Sequence, residues 1–492
     1  LIVKKFGFIV LVGALTLAGC VKDIPFVTTS VPENGKFIDQ VEFAKTRIYT
    51  ADEIHAAKSE VMRQSIGTAP ITDLQDYAQE VLDRIVAVAP AGSPKAEIML
   101  IGNSGPGARA AREGVLFLYH SAFDYLRSED ELAFLIAHEY SHVLLQHTPE
   151  NLFSVLRPYL LTAADVALGN SGSQSDLLRK AGQMYGSDLI LRDLLLPNWD
   201  RSQEREADYL GLDLMVRAGY QPKGASGYFE VAQEAEENFD TRYQLTRNQL
   251  ELFLQAQFQP KGQDNVLLNQ FLSEFGEAVS TVQQQLSAKH DDASERAEEI
   301  FAYGMREYMP ERTSRMIHKE PFDSVIEQNK TALGNYRIAS EIIQTLQQDD
   351  REIDFRALEA EARKAVGGDT ENHPYTRWAF AKVRERQGNL KKALQNIDLI
   401  DGEDDVLALP VEMKRAEIMK SLGDVKSAYQ RVEQVATYYE WPLEAYRFLY
   451  PIVKASGNKT RENELLIGCV ARYPQQRALC AGQESTMQMS SM

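Results

Sequence analysis

The spacing of apolar positions predicts a chain that is helical for most of its length, with two short strands near the start. Leu74, Tyr77, Val81, Leu82 and Ile85 recur at i, i+3, i+7, i+8 and i+11, the pattern of a helix with one apolar face. Ala96 to Ile101 and Gly114 to Tyr119 are short apolar runs of strand length, separated by the Gly/Pro-rich residues 102–107. A long helix is expected from about Glu129 to His147. Ser128 is its candidate N-cap, and Glu129, Asp130 and Glu131 lie in the first turn, where acidic groups meet the positive end of the helix dipole. A further helix is expected over about Asp200 to Ala218, stopped by Gly219 with Pro222 just beyond. Residues 223–310 read mostly as helix.

From about residue 320 helix-sized segments alternate with Gly-Asn or Gly-Asp pairs: Gly334-Asn335, Gly388-Asn389, Gly423-Asp424 and Gly457-Asn458. The last three pairs are 35 and 34 residues apart, a period that fits two helices per unit in tetratricopeptide-like repeats. Trp378, Ala393, Ala428 and Tyr429 supply the large and small packing positions of such pairs. The spacing fails between Gly334 and Gly388, so the early units are irregular; a plain helical bundle is the alternative. The fold class expected is mainly α with a small β-sheet, followed by an α-solenoid of helix pairs. Stacked helix pairs leave a concave surface able to hold peptides or partners.

Charge narrows the partners. The 492 residues carry 53 basic and 71 acidic side chains, a net of −18, which argues against a phosphate-neutralising nucleic-acid binder and a polybasic grip on lipid and leaves only a local basic patch open. The first 19 residues have the layout of an export signal: Lys4 and Lys5, an apolar stretch from Phe6 to Leu17, then Ala18 and Gly19. Leu17-Ala18-Gly19-Cys20 resembles the lipobox of bacterial lipoproteins, which implies cleavage before Cys20 and its lipidation. An ordinary signal peptide and an uncleaved anchor are the alternatives. Residue 21 is Val, not the Asp that resembles an inner-membrane retention signal, which favours an outer-membrane location. In an oxidising compartment Cys469 and Cys480 could pair; two buried thiols are the other reading. The expected organisation is a signal peptide at 1–19, a lipidated tether at 20–50, a catalytic domain at 51–315 and repeats at 320–480.

The chemistry concentrates at His138-Glu139-Tyr140-Ser141-His142. Residues four apart share a helix face, so His138 and His142 can present two imidazoles to one metal ion. Glu139, beside the first of them, can serve as general base toward a water at that metal. Zinc needs a further protein ligand, and Glu204 in Arg201-Ser202-Gln203-Glu204-Arg205-Glu206-Ala207-Asp208 is the candidate. Asp208, one turn on, is placed to orient a ligand histidine, whereas Glu206 faces elsewhere, toward solvent. His120 and His147 read as structural, because nine residues from His138 do not return His147 to the metal face.

These two segments, with Ala218-Gly219-Tyr220 after them, resemble the core of the M48 metallopeptidases, a gluzincin-type family, and within it the BepA-like envelope lipoproteins. The resemblance covers about residues 60–310. It implies one zinc ion held by His138, His142 and Glu204, with Glu139 as catalytic base and Asp208 and Arg201 in support. His290…Arg296 resembles the family segment that packs back over the site, although Asp291 stands where the family usually has Pro. His290 is thus a candidate catalytic residue. Gly114, Val115, Leu116 and Phe117 resemble the family's edge strand, onto which substrate backbone adds.

The reading is a lipid-anchored zinc endopeptidase on the periplasmic face of the outer membrane. Its expected substrates are unfolded or misfolded envelope proteins, with outer-membrane assembly machinery as a partner of the repeats. An envelope chaperone or assembly adaptor with a latent site is the main alternative, and a hydrolase of cell-wall peptides the third.

Overall fold

A computed structural model describes residues 34–41, 43, 48–63, 65–103, 107–111, 113–147, 201–234, 293–346, 348, 351–400, 408–474 and 477–480. Cys20 and His290 lie outside the described residues.

Helix α1 (Ala51–Met62) opens on a capping box in which Thr50 and Glu53 satisfy each other's backbone N–H. After α2 (Thr72–Ala87) come three strands, β1 (Glu97–Ile101), β2 (Ala108–Ala111) and β3 (Val115–Tyr119). They form one sheet in the order β1-β3-β2, with β1 parallel and β2 antiparallel to β3. The expected strands at 96–101 and 114–119 are therefore present, and β2 is an addition. Its sequence, Ala-Arg-Ala-Ala, has little strand propensity; pairing with β3 on one side and the Ala110 backbone hydrogen bond to Glu139 hold it extended.

The topology corrects the expected edge strand. Residues 115–117 sit in the middle of the sheet with partners on both sides, and Gly114 donates to Ala111 O while accepting from Glu97 N. No substrate backbone can add there. The outer edge of β1 is also covered. Ile98 N donates to Gln79 Oε1 at 2.7 Å and Leu100 N to Gln75 Oε1 at 3.1 Å, both from α2, and Ala69 N donates to Leu100 O at 2.9 Å. Among the described residues, β2 provides the edge left for another strand.

Helix α3 (Ala122–Tyr125) leads into α4 (Glu129–Leu144), whose N-cap Ser128 accepts from Glu131 N. Every residue of α4 is buried, so it runs through the core with no solvent face. Each of its fully buried Leu, Ile and Phe side chains contributes roughly 1.5–3 kcal/mol. Helix α2 packs on it, as do α5 (Arg201–Arg217) and a helix over 223–234, here α6. Helix α7 (Ala293–Glu307) lies against α5. Part of the expected tether is docked, not loose. Phe37 and Ile38 are buried in a 3-10 turn, Phe37 N donating to Tyr303 Oη at 2.8 Å and Ile38 N to Asp213 Oδ2 at 2.8 Å. Two apolar side chains next to each other in the segment favour this burial over solvation.

The remaining helices are α8 (Met309–Ser314), α9 (Glu320–Gln328), α10 (Lys330–Thr345), α11 (Phe355–Ala365), α12 (Pro374–Arg386), α13 (Leu390–Asp398), α14 (Leu409–Ser421), α15 (Val425–Tyr438), α16 (Leu443–Ser456), α17 (Lys459–Arg472) and α18 (Arg477–Cys480). From α10 onward they stack as a paired-helix solenoid. Three of the Gly-Asn/Asp pairs are its turns. Gly388, Gly423 and Gly457 take φ of 75°, 92° and 74°, and Asn389, Asp424 and Asn458 then cap the next helix, each accepting from the backbone N–H three residues on. Gly334-Asn335 is not such a turn. It lies inside α10, and Asn335 Nδ2 donates across to Gly367 O and Thr370 Oγ1. A disulfide joins Cys469 to Cys480 and ties α18 to α17.

One hydrophobic core runs from Phe37 to Ile418, so the first helix pairs share their interior with the sheet and α4. Phe322 stacks on Phe123 at 6.1 Å, and Arg337 Nη2 meets Asp124 Oδ1 at 2.6 Å. His120 is buried between Tyr336 and Tyr375, and burial lowers its imidazole to about 3, as suits a neutral core histidine. Farther along, Tyr438 Oη lies 3.0 Å from Ser59 Oγ and Tyr439 O accepts from Arg63 Nη2 at 2.9 Å, so the solenoid curls back onto α1.

Candidate metal centre

Helices α4 and α5 bring the site together because small residues let them approach. A Cβ on Gly211 would lie 3.0 Å from both N and Cα of His138. That contact sets Glu204, two turns earlier on α5, opposite the imidazoles of α4. His138 Nε2 and His142 Nε2 are 3.1 Å apart, and Glu204 Oε2 is 3.5 Å from His138 Nε2. One donor atom from each of these three buried residues lies within 4.8 Å of the others.

The surroundings fix the donors. Asp208 Oδ1 is 2.9 Å from His138 Nδ1, which holds the proton there and leaves Nε2 for the shared point. Arg296 on α7 clamps both carboxylates of α5. Its Nε and Nη2 donate to Asp208 at 2.8 and 2.7 Å, and its Nη1 is 2.8 Å from Glu204 Oε2. Burial alone would lift the Asp208 carboxyl, but Arg296 and His138 hold it below the usual range. For His142 burial, and after it the neighbouring His138, His147 and Arg296, all lower the pKa, so its imidazole is neutral.

Glu139 faces the same point. Burial pushes its carboxyl up to about 7, opposed by His138 and assisted by Glu204, and Ala110 on β2 gives it a backbone hydrogen bond. Its Oε2 is buried with no hydrogen-bond partner among the described residues. Two imidazole nitrogens directed at each other, a carboxylate beside them and an orphaned carboxyl oxygen fit a divalent cation with nitrogen and oxygen ligands, zinc foremost. Tyr228 on α6 borders the group, packed on Phe134 at 5.4 Å; burial raises its phenol, Arg296 opposes this, and Glu139, Glu204 and Asp208 add to it.

The structure brings His138, Glu139, His142, Glu204 and Asp208 together. Arg201 is exposed at the first position of α5, and the arginine that meets Glu204 and Asp208 is Arg296. His147 and Glu206 also differ from expectation. Helix α4 ends at Leu144, Gln146 takes φ of 55°, and His147 N donates to His142 O at 3.0 Å. This reversal returns His147 to His142, with Nδ1 to Nδ1 at 2.9 Å, and its Nε2 meets Glu206 Oε2 at 3.1 Å. A spacing rule that assumes continued helix cannot find that contact.

Comparison with known proteins agrees with the site. Residues 73–303 match the profile of Peptidase family M48, and His138, His142 and Glu204, which could hold a metal ion, fall within that stretch. Over 161 residues, 32% of the chain, it is 32% identical to the mitochondrial metalloendopeptidase OMA1 of Schizosaccharomyces pombe, covering 44% of that protein. Over 183 residues, 34% of the chain, it is 27% identical to the beta-barrel assembly-enhancing protease of Yersinia pestis, and the Escherichia coli K12 protein of that name is 26% identical over 176 residues; each match covers 35% of the relative. The chain thus spans less than half the length of these relatives.

Proposed function

We propose that the protein is a zinc-dependent endopeptidase of the bacterial cell envelope that degrades misfolded or stalled envelope and outer-membrane proteins. The observation that carries this reading is the convergence of His138, His142 and Glu204 beside a buried Glu139 oxygen that has no hydrogen-bond partner among the described residues. His138, His142 and Glu204 would hold one zinc ion, which supplies Lewis acidity toward a peptide carbonyl and lowers the pKa of water. Glu139 takes the proton from the attacking water and returns it to the leaving amine. Asp208 and Arg296 keep His138 and Glu204 in place. His290, six residues before Arg296, is assigned to the charge that develops on the substrate carbonyl. The edge of β2 replaces residues 114–117 as the place where extended substrate backbone adds, next to Ala110 and Glu139.

The leader and Cys20 support a lipid anchor on the periplasmic face of the outer membrane. No helix among the described residues is long and apolar enough to cross a membrane. The names of the two bacterial relatives support outer-membrane β-barrel proteins as clients. The helix pairs, read as tetratricopeptide-like, would bind clients or assembly machinery on their concave side.

The test offers the zinc-loaded chain an unfolded outer-membrane protein, the same protein folded, and muropeptides, with Glu139→Gln as control. Cleavage of the unfolded protein alone, abolished by Glu139→Gln, is the expected result. Muropeptide turnover would favour a cell-wall hydrolase. Suppression of client aggregation without cleavage, equal in both forms, would favour the chaperone or adaptor.

A further inference from the structure

We propose that His147 and Glu206 are positioning residues for the metal ligand His142, through a line of hydrogen bonds with one allowed proton arrangement. This rests on the metal-site reading above and adds two residues to it. For His142 to offer the Nε2 lone pair toward the point it shares with His138, its proton must sit on Nδ1. That Nδ1 faces His147 Nδ1 at 2.9 Å, so His147 accepts there and carries its own proton on Nε2. Nε2 of His147 in turn faces Glu206 Oε2 at 3.1 Å, and the carboxylate accepts.

The reverse arrangement fails at both ends. A proton donated from His147 Nδ1 to His142 Nδ1 would leave a lone pair on His147 Nε2 pointed at the Glu206 carboxylate. It would also put a proton on His142 Nε2, where the lone pair is needed. Glu206 therefore selects the tautomer of a ligand two residues away along the line. Both imidazoles are buried, which shields the line from exchange with water.

The arrangement mirrors the other ligand. His138 has its carboxylate, Asp208, in direct contact, and His142 has Glu206 through His147. Glu206 and Asp208 both belong to α5, so one helix orients both imidazoles of α4. His147 reaches its place because the chain turns back after Leu144, its N–H held by His142 O. The same residue thus bonds the backbone and the side chain of His142.

The test is zinc affinity of the metal-free full chain, measured by competition with a chromophoric chelator, beside the melting temperature of each metal-free variant. Wild type should bind one zinc. His147→Ala should bind it ~10–100-fold more weakly with melting unchanged, and Glu206→Ala should lose ~10-fold. The double variant should be no weaker than His147→Ala, since the line is broken once in each. Affinities within twofold of wild type, or losses that multiply in the double variant, would overturn the proposal. A larger loss with a changed Co2+ absorption spectrum would make His147 a ligand and also overturn it. If His147→Ala does not fold, Glu206→Ala, whose side chain lies at the margin of the group, decides alone. Wild type binding no zinc would overturn the metal site itself and this line with it, whereas zinc-binding wild type with unaffected variants overturns the line only.

Discussion

Arg296 Nη1 lies 2.8 Å from Glu204 Oε2 while its Nη2 lies 2.7 Å from Asp208 Oδ1, so one guanidinium joins a metal-facing carboxylate to the carboxylate behind His138. Burial disfavours the cation, but the two carboxylates outweigh this and raise its pKa. Arg296→Met leaves both carboxylates buried and uncompensated, and should destabilise the zinc-free chain by about 3–5 kcal/mol in urea unfolding. Arg296→Lys should recover only part of this, because an ammonium cannot reproduce the fork.

Gly211 predicts a separate effect on the helix crossing. Gly211→Val forces α5 away from the His138 backbone and should cost about 1–3 kcal/mol through overpacking. Zinc affinity by chelator competition should fall with it, because Glu204 moves with the helix. Gly219→Ala, where no atom of the described residues lies within 4 Å of the added Cβ but φ is 101°, should lower stability without changing zinc affinity.

The solenoid has its own pH dependence. Burial would raise the Glu385 carboxyl, but Lys382 and Lys414 at 3.2 Å hold it down at about 2. Because the folded pKa lies below the ordinary 4.5, the stabilisation is complete above pH 4.5 and is lost as pH falls toward 2. The difference is worth about 3 kcal/mol at neutral pH. Urea unfolding of wild type should weaken over that window, and Glu385→Gln should start lower at pH 7 and show a flatter decline.

The docked segment before α1 is testable by proteolysis. Phe37→Ala empties a fully buried site at a cost of about 3–5 kcal/mol, most of it to local docking. Trypsin cleavage after Lys36 should accelerate in the variant while the melting of the remainder changes little.

Much of the site was legible because it lies on two regular helices, where a spacing of four places His138 with His142 and Glu204 with Asp208 on common faces. What was not legible depends on the ends of elements and on tertiary pairing. The αL turn at Gln146 redirects His147, and no hydrophobic period records where α4 stops. Ala108–Ala111 becomes a strand through tertiary pairing with β3, and that pairing puts residues 115–117 in the middle of the sheet instead of at its edge. Asn335 resembles the capping residues at 389, 424 and 458, yet its amide is used between helices instead of at a turn. Phe37 and Ile38 sit in a polar, Pro-containing stretch whose two apolar residues outweigh its loop composition once Asp213 and Tyr303 receive their N–H groups.

The most direct test of the metallopeptidase site is zinc content measured together with hydrolysis of an unstructured peptide, for wild type, Glu139→Gln and His142→Ala. One zinc per chain in wild type and Glu139→Gln, little in His142→Ala, and hydrolysis by wild type alone is the expected result. Equal hydrolysis by Glu139→Gln, or zinc retained in full by His142→Ala, would contradict the assignment of the base or of the ligand.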